Sequence, residues 1–580
     1  MKYTIKNCNG NISDYKTLIL NNRGINDVNG FLNIDSHCEN NYEDLDNIQK
    51  GVDLLVKHIN AKNEITLLVD CDPDGYTSSA ILYQYLKKLI PDINISYILQ
   101  EGKKHGLHDR IHLPITTDLL IIPDAGSEDY EQHEQWKHKG VDILVLDHHE
   151  AKMESEDAVV VNNQLSKKYP NKSLSGVGVV YKFLQALDTE YWVENASEYL
   201  DLVAIGNISD VMDSRDFETR YYEDTGIKNI TNKLIKAIIK RQEFQMKKMD
   251  GLNKISVAWY ITPLLNSIIR YGTQEEKTLL FRALCQDTTE VETYEYKPRL
   301  KDTQPIQEDL YDHVARLAET CKKKQDKQRD DMIAIFDKNL SNISDKNKII
   351  FQEYESDVDS TLTGVVASNL AQKYKRPVLL GKMDSLGFIS GSGRNCSRFE
   401  EQNLRSSLES LGYFKYCSGH EGAFGFSIAQ PKVRDMVKAF NEKYKDADVD
   451  DYYSVDWVFT PYNIPDTLIE NVNEMRPLWG TNVEEPLWCI KDIVIDSDKV
   501  NIVGKSKSGR QVRVYKFIVN GVEYTNLNYK QDDKLVKLCD GWGTSNISLT
   551  VIGKFAVNEY NGKRTPQVII EDYEVNGFEN

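Results

Sequence analysis

Two short apolar runs, each closed by a cluster of acids or imidazoles, limit the folds open to this chain more than any other feature. The first reads Leu67-Leu68-Val69-Asp70-Cys71-Asp72-Pro73-Asp74-Gly75, the second Leu144-Val145-Leu146-Asp147-His148-His149. A wholly apolar run of this length, bounded by polar residues, reads as a buried strand of a parallel sheet. Ligands of open α/β sheets collect beyond the carboxyl ends of the strands, so both clusters can meet on one sheet edge. Asp124 closes a third apolar run and Asp210 follows Leu202 to Ser209, so four strand ends are expected to deliver acids or imidazoles to one place. Crowded carboxylates repel and need cations. Asp and His together favour Mn²⁺ or Mg²⁺, and the pattern points to phosphoester hydrolysis with two ions.

That chemistry suggests roles. Asp72, Asp74, Asp124, His148 and Asp210 are candidate ligands, with Asp124 the bridge between two ions. Asp70 is either a ligand or an orienting group. His149 faces the phosphate as charge stabiliser or proton donor, and Asp147 orients an imidazole. For a single Asp after a strand the plainer role is a helix N-cap or turn former. That role does not account for the set.

A chain of 580 residues exceeds one core, and about three or four domains are expected. Residues 1–47 are Asn-rich and weakly patterned and read as a loosely ordered extension. Helix and strand patterns then alternate, with Ile48 to Ile59 helical, Ile65 to Val69 a strand, Ser78 to Leu89 an amphipathic helix, and strands at Ile93 to Leu99, Leu119 to Ile122, Ile143 to Leu146 and Val159 to Val161. Gln304 to Lys338 reads as a long charged helix, and a second α/β unit runs from Lys348 to about Glu442. Beyond Lys445 the pattern is strand-dominated, with Asn520-Gly521 a hairpin signal. The boundaries expected are 1–47, 48–275, 276–345, 346–444 and 445–580.

The formal net charge of −18 speaks against a general nucleic-acid coat protein but not against an enzyme with a locally basic channel. Lys103 to Arg110, Lys322-Lys323-Lys324 and Lys505 to Arg513 are the local basic stretches, each also readable as a solvated face. Nine scattered cysteines without a CxxC pair suggest neither a zinc knuckle nor a disulfide framework, and a reducing cytoplasm fits. No run is long enough to span a bilayer, and Met1 to Asn7 lacks the apolar core of a signal peptide. No membrane association is expected, and the chain reads as a monomer.

These residues resemble the DHH phosphoesterase superfamily, and within it the RecJ single-strand DNA exonucleases. Its Asp-x-Asp-x-Asp-Gly motif matches Asp70 to Gly75, its Asp-His-His matches Asp147 to His149, and the single acids of its other motifs match Asp124 and Asp210. Leu174 to Val179 resembles the segment that follows the Asp-His-His. Pro263 to Asn266, with Arg270-Tyr271-Gly272, resembles a Pro-Arg-x-Asn-x-x-Gly-Arg signature in which Leu264 and Ile269 replace the expected Arg and Gly. Leu68 stands where many members carry a His, and Ser418 replaces the first Gly of Gly-Gly-His. Gly364 to Ser368, Gly391 to Arg394 and Gly419 to Gly425 are similar to the nucleotide-contacting loops of the DHH-associated domain, and Asn558 to Asp572 to the end of the RecJ OB-fold. The resemblance implies a parallel-sheet DHH domain, a long helical linker, a second α/β DHH-associated domain and an OB-like β-barrel.

It also implies how a strand is held. Asn266, Arg270, Ser392, Gly393, Arg394, Gly419 and His420 are the candidate nucleic-acid contacts, because glycines let the backbone approach a phosphate to which an Arg adds charge. The same glycine runs also read as tight turns. In the barrel Arg513, Tyr515 and Phe517 share one strand face, which suits stacking on single-stranded bases or, equally, a barrel core. The function implied is a Mn²⁺- or Mg²⁺-dependent exonuclease on single-stranded DNA, 5′-to-3′ by resemblance and releasing mononucleotides. A helicase or a single-strand-binding protein is the candidate protein partner. Two alternatives stand beside it: a DHH phosphodiesterase on oligoribonucleotides or cyclic dinucleotides, and a binding scaffold without catalysis.

Overall fold

A computed structural model describes residues 1–6, 12–100, 105–107, 116–249, 251–287, 292–297, 304–340, 347–354, 362–396, 399, 401–447, 452–505, 511–527, 529, 533–539, 546–560 and 562–579. They divide into two units. One holds Gly30–Asp331 with Gly480–Asn482, the other Met1–Asn29, Met332–Trp479 and Val483–Asn580.

The first unit is built on five parallel strands. After helix α1 (Ile48–Asn60) come β1 (Glu64–Val69), α2 (Pro73–Leu89), β2 (Ile95–Leu99), β3 (Thr117–Pro123), β4 (Asp142–Asp147) and β5 (Val159–Asn162), in the sheet order β2-β1-β3-β4-β5. The chain moves one way from β1 to β2 and the other way through β3, so the switch point lies between β1 and β3. Asp70 and Asp124 follow those two strands, where an open α/β sheet binds its ligands. The central strands β1, β3 and β4 are largely apolar because both faces are covered: Leu67 and Val69 join one buried cluster, Leu68 with Leu120 and Ile122 another.

Two elements differ from the sequence reading. Helix α2 begins at Pro73, five residues early, with Pro in its first turn and Asp72 as N-cap. Its Thr77, Ser78 and Ser79 are buried too, so it is a core helix packed on α3 (Gly176–Tyr191) and α4 (Leu200–Ser209) rather than an amphipathic one. The run Leu202 to Ser209 is this helix α4, not a strand, and Asp210 is its C-cap. A helix buried all round carries the same unbroken apolar pattern as a buried strand. Helix α5 (Thr262–Tyr271) packs alongside, and the long charged segment is helix α6 (Leu310–Leu340), which carries the chain from one unit into the other.

The second unit has a mixed five-stranded sheet. Its elements are β6 (Ile350–Glu353), α7 (Thr363–Tyr374), β7 (Val378–Met383), β8 (Phe388–Arg394), β9 (Phe414–His420) and β10 (Ala423–Ala429), in the order β9-β10-β8-β7-β6, with only β7 and β6 parallel. A seven-stranded sheet follows, comprising β11 (Trp457–Phe459), β12 (Trp488–Asp496), β13 (Asn501–Lys505), β14 (Gln511–Val519), β15 (Val522–Asn526), β16 (Asn546–Tyr560) and β17 (Lys563–Glu579), ordered β11-β12-β16-β17-β15-β14-β13. Asn520 and Gly521 turn β14 into β15 with positive φ at both residues, the hairpin the dipeptide signals. Trp488 stacks on Phe555 at 4.8 Å in the core of this sheet.

The described residues at the start of the chain form paired and buried elements, contrary to expectation. Lys2–Ile5 pairs in parallel with Tyr452–Val455, and Leu18, Ile19 and Leu20 are buried. Arg23 forms a fully buried ion pair with Asp456 at 2.8 Å and also donates to the carbonyls of Ile19 and Glu484. Such a pair is stable only with its remaining donors satisfied, as here. Sparse polar patterning hid a segment whose partner lies over 400 positions away. Among the described residues no helix is long and apolar enough to cross a membrane, and eight cysteines are free thiols.

Candidate metal centre

All eight acids and imidazoles named from the strand-end pattern come together in the first unit. One potential ligand atom from each residue lies within 4.8 Å of the others in three overlapping sets: Asp70, Asp72 and Asp124; Asp74, His148 and Asp210; and Asp124, Asp147, His148 and His149. His148 Nε2 is 3.3 Å from Asp124 Oδ1, 3.3 Å from Asp210 Oδ2 and 3.9 Å from Asp74 Oδ2.

Local structure aims each group. Asp72 caps α2 by accepting the Gly75 N–H, so the N-cap role and a place in the cluster coexist in one residue. Asp74, one turn in, accepts the N–H groups of Gly176 and Val177 at 2.7 and 3.1 Å. Those are first-turn donors of α3, which lack partners within their own helix and favour a carboxylate. Asp124 sits in the left-handed region at φ 67. Asp147 is the best-satisfied acid: it accepts the backbone N–H of His148, His149 and Ser127, and His149 Nδ1 lies 2.8 Å away.

Electrostatics mark the centre as short of positive charge. Burial, and then the charge of Asp72, push Asp74 up to about 7. Burial, and then Asp74, raise both Asp124 and Asp210 well above the usual carboxylate range. Asp147 is held far below that range despite its burial, by His149, whose own pKa is pushed up to about 10 against burial by Asp147. Asp72 is also lowered against burial, by the Gly75 N–H and the charges of His105, Arg270 and His149. Neither oxygen of Asp124, nor Oδ2 of Asp210, has a hydrogen-bond partner among the described residues, although all three are buried. Buried carboxylate oxygens left this way fit the donor set of a hard divalent cation.

Two glycines let the helices close on the acids. A Cβ at Gly176 would lie 2.3 Å from Asp124 Oδ1, and one at Gly206 would lie 2.5 Å from Asp74 Oδ1. Gly176→Ala is therefore expected to displace Asp124 and lower the melting temperature by roughly 2–6 °C, read by circular dichroism. An unchanged melt would mean that α3 shifts at little cost.

The nucleic-acid candidates divide. Arg270 Nη1 lies 3.9 Å from Cys71 Sγ, beside the centre, and Asn266 holds a buried Oδ1 with no hydrogen-bond partner among the described residues. Ser392, Gly393 and Arg394 lie on strand β8 rather than in a loop. Ser392 Oγ meets Thr363 Oγ1 at 3.0 Å, and the Arg394 guanidinium lies against Gly364 at the start of α7. Gly393 packs under the Phe424 ring, so neighbours within the sheet account for this glycine. Gly419 has φ 124 at the end of β9, and its carbonyl accepts from Arg405. The His420 side chain lies outside the described residues. Tyr515 is a correction: it and Phe517 are buried in the barrel core while Arg513 is exposed, so Tyr515 presents no stacking face. Lys103, Lys104, residues 108–110 and 506–510 lie outside the described residues, and Lys322 is tied to Asp326.

Sequence reasoning missed His105. Its Nδ1 lies 2.6 Å from Asp70 Oδ2, and it was visible only as part of a basic stretch. Leu68, in the place of the family His, is fully buried in the cluster that contains Leu107, two residues from His105.

Two family models match the chain: the DHH family, N-terminal domain, over residues 64–207, and the RecJ OB domain over residues 455–572. The chain is 38% identical to the "Putative SPbeta prophage-derived single-strand DNA-specific exonuclease YorK" of Bacillus subtilis (strain 168), over 99% of this chain and 98% of that one. It is 25% identical to the single-stranded-DNA-specific exonuclease RecJ of the same organism, over 92% of this chain and 64% of that one. Its fold is similar to a crystal structure of RecJ from Thermus thermophilus in complex with Mn²⁺. The TM-score is 0.71 at 18% identity, covering 99% of this chain and 79% of that one.

Proposed function

The chain belongs to the DHH family and carries that family's RecJ OB domain, and from this premise we propose that it is a metal-dependent exonuclease on single-stranded DNA. The observation that carries the reading is the convergence of Asp124 and Asp210, with buried oxygens lacking hydrogen bonds, on His148 and Asp74.

In this reading Asp70, Asp72, Asp74, Asp124, His148 and Asp210 would hold two Mn²⁺ or Mg²⁺ ions. When bound, the ions would supply Lewis-acid polarisation of the phosphodiester and activation of the attacking water. Asp147 keeps His149 in one orientation, and His149 presents its other ring edge to the phosphate as charge stabiliser or proton donor. Arg270 and, in the second unit, Ser392, Arg394 and Gly419 bind backbone phosphates. Residues 48–275 form the catalytic domain, 346–444 a DHH-associated domain and 445–580 the OB-like domain, joined by 276–345. Cleavage runs 5′-to-3′ and releases mononucleotides.

The test is incubation with Mn²⁺ and end-labelled single-stranded DNA, RNA or a cyclic dinucleotide, with an EDTA control. Mononucleotide release from DNA alone, abolished by EDTA, is the expected result. Preferential cleavage of RNA or the cyclic dinucleotide, or binding without cleavage, overturns it.

A further inference from the structure

Two carboxylate–imidazole pairs flank the metal centre, and the reaction as described uses one. In the first, His149 Nδ1 lies 2.8 Å from Asp147 at the end of β4; in the second, His105 Nδ1 lies 2.6 Å from Asp70 just beyond β1. The exposures match as well: each carboxylate is 1% exposed and each imidazole 45%. A carboxylate on Nδ1 fixes the ring and leaves Nε2 as the edge available to a ligand.

The two residues that follow His105 are held in place. The Gly106 N–H reaches Asp70 Oδ1 at 3.3 Å, Gln100 Nε2 donates to the Gly106 carbonyl at 3.0 Å, and the Leu107 N–H donates to Asp129 Oδ2 at 2.6 Å. Leu107 itself is buried beside Leu68 and Leu120. Gly106 has φ 65, and a Cβ there would strike Asp129 Oδ2 at 2.3 Å. This much anchoring is not needed to pin a side chain with no task.

Arg270 stands at the same strand end, 3.9 Å from Cys71 Sγ between the two acids Asp70 and Asp72. Among the described residues it has no carboxylate within ion-pair distance, although acids dominate the neighbourhood. A guanidinium without a carboxylate, beside an imidazole with one ring edge committed, is a recognition site for a phosphate.

We propose that His105 is a substrate-contacting residue that, with Arg270, grips a phosphate of the single-stranded substrate next to the bond being cut, with one oxygen of Asp70 fixing its ring. This rests on the exonuclease reading above.

The discriminating variant is His105→Asn, whose amide can replace Nδ1 toward Asp70 but has nothing in the place of Nε2. Loss of one hydrogen bond to a charged group is expected to raise KM for single-stranded DNA about tenfold or more, with kcat within about threefold. Mn²⁺ affinity, measured by calorimetry, is expected to stay unchanged. Arg270→Gln is expected to do the same, and the double variant to lose less than the product of the two. If His105→Asn fails to fold, His105→Ala, which also lacks Nε2, and its KM carry the test. Unchanged KM in His105→Asn overturns the proposal, as does a fall in kcat alone. Weakened Mn²⁺ binding by His105→Asn also overturns it, because His105 would then be a metal ligand. Anisotropy of a labelled oligonucleotide, with Ca²⁺ in place of Mn²⁺, reads the strand Kd without turnover. A wild-type protein that binds but never cuts would therefore sink the exonuclease reading while the His105 comparison stayed readable.

Discussion

Asp124→Asn is expected to lower strand degradation by at least about 10³-fold and, in EDTA, to raise the melting temperature by a few degrees. The first effect follows, on the proposed reading, from the loss of a carboxylate that would help hold the ions: an amide offers one neutral oxygen and no negative charge, and metal stabilisation of a phosphoryl transition state is worth several kcal/mol. The second follows from crowding. Asp124 is buried against the charges of Asp74, Asp72 and Asp210, and its own oxygens gain no hydrogen bond among the described residues in return. Asn removes that repulsion at nearly the same volume and tolerates the left-handed φ of 67, so the backbone has no reason to move. Activity and metal-free stability should thus move in opposite directions, read by nuclease assay and by melts in EDTA. A melting temperature that falls in EDTA would mean that the Asp124 carboxylate holds the fold together, and its assignment to a metal would fail.

The parts of this site legible in the sequence were those set by strand periodicity. Asp70, Asp72, Asp124, Asp147, His148 and His149 each follow an apolar run too short to be anything but a buried strand, and the parallel sheet then brings their ends together. Asp210 was found for a partly wrong reason, since its apolar run is a helix buried all round. The centre needs only that the chain end there, whichever element delivers it. Tyr515 shows the opposite failure: alternation placed it correctly on one face with Phe517, but alternation cannot say which face is the core. His105 has no periodic signature, because a loop side chain is placed by its anchors, here Asp70, Asp129 and the Leu68 cluster. The same holds for Arg23, whose buried partner Asp456 no local window could suggest.

Metal-free protein is expected to lose stability as pH rises from 5 to 8, with a fall in melting temperature of at least about 5 °C, and Mn²⁺ is expected to restore more at pH 8 than at pH 5. A carboxyl whose folded pKa stands above its unfolded value binds its proton more tightly in the fold. Its contribution is complete below the unfolded value and disappears as pH climbs through the folded one. For Asp74 that window runs from the ordinary 3.8 to about 7, and Asp124 and Asp210, raised in the same direction, add slope of the same sign. His149, raised from 6.5 to about 10, adds the same sign of slope above 6.5. Asp147, shifted downward, contributes a constant amount across this range because its unfolded form is already ionised. Half-buried Asp216 and buried Glu223, raised to about 6 and about 7, add slope of their own without belonging to the centre. The diagnostic quantity is therefore the Mn²⁺-dependent part. At pH 5 the ion must displace a proton from Asp74, whereas at pH 8 it meets that carboxylate ionised, and the raised pKa values of Asp124 and Asp210 act in the same direction. Asp124→Asn should shrink that increment while leaving the share of Asp216 and Glu223 intact. A Mn²⁺ increment that is flat, or larger at pH 5, would show that these three acids do not hold the ion.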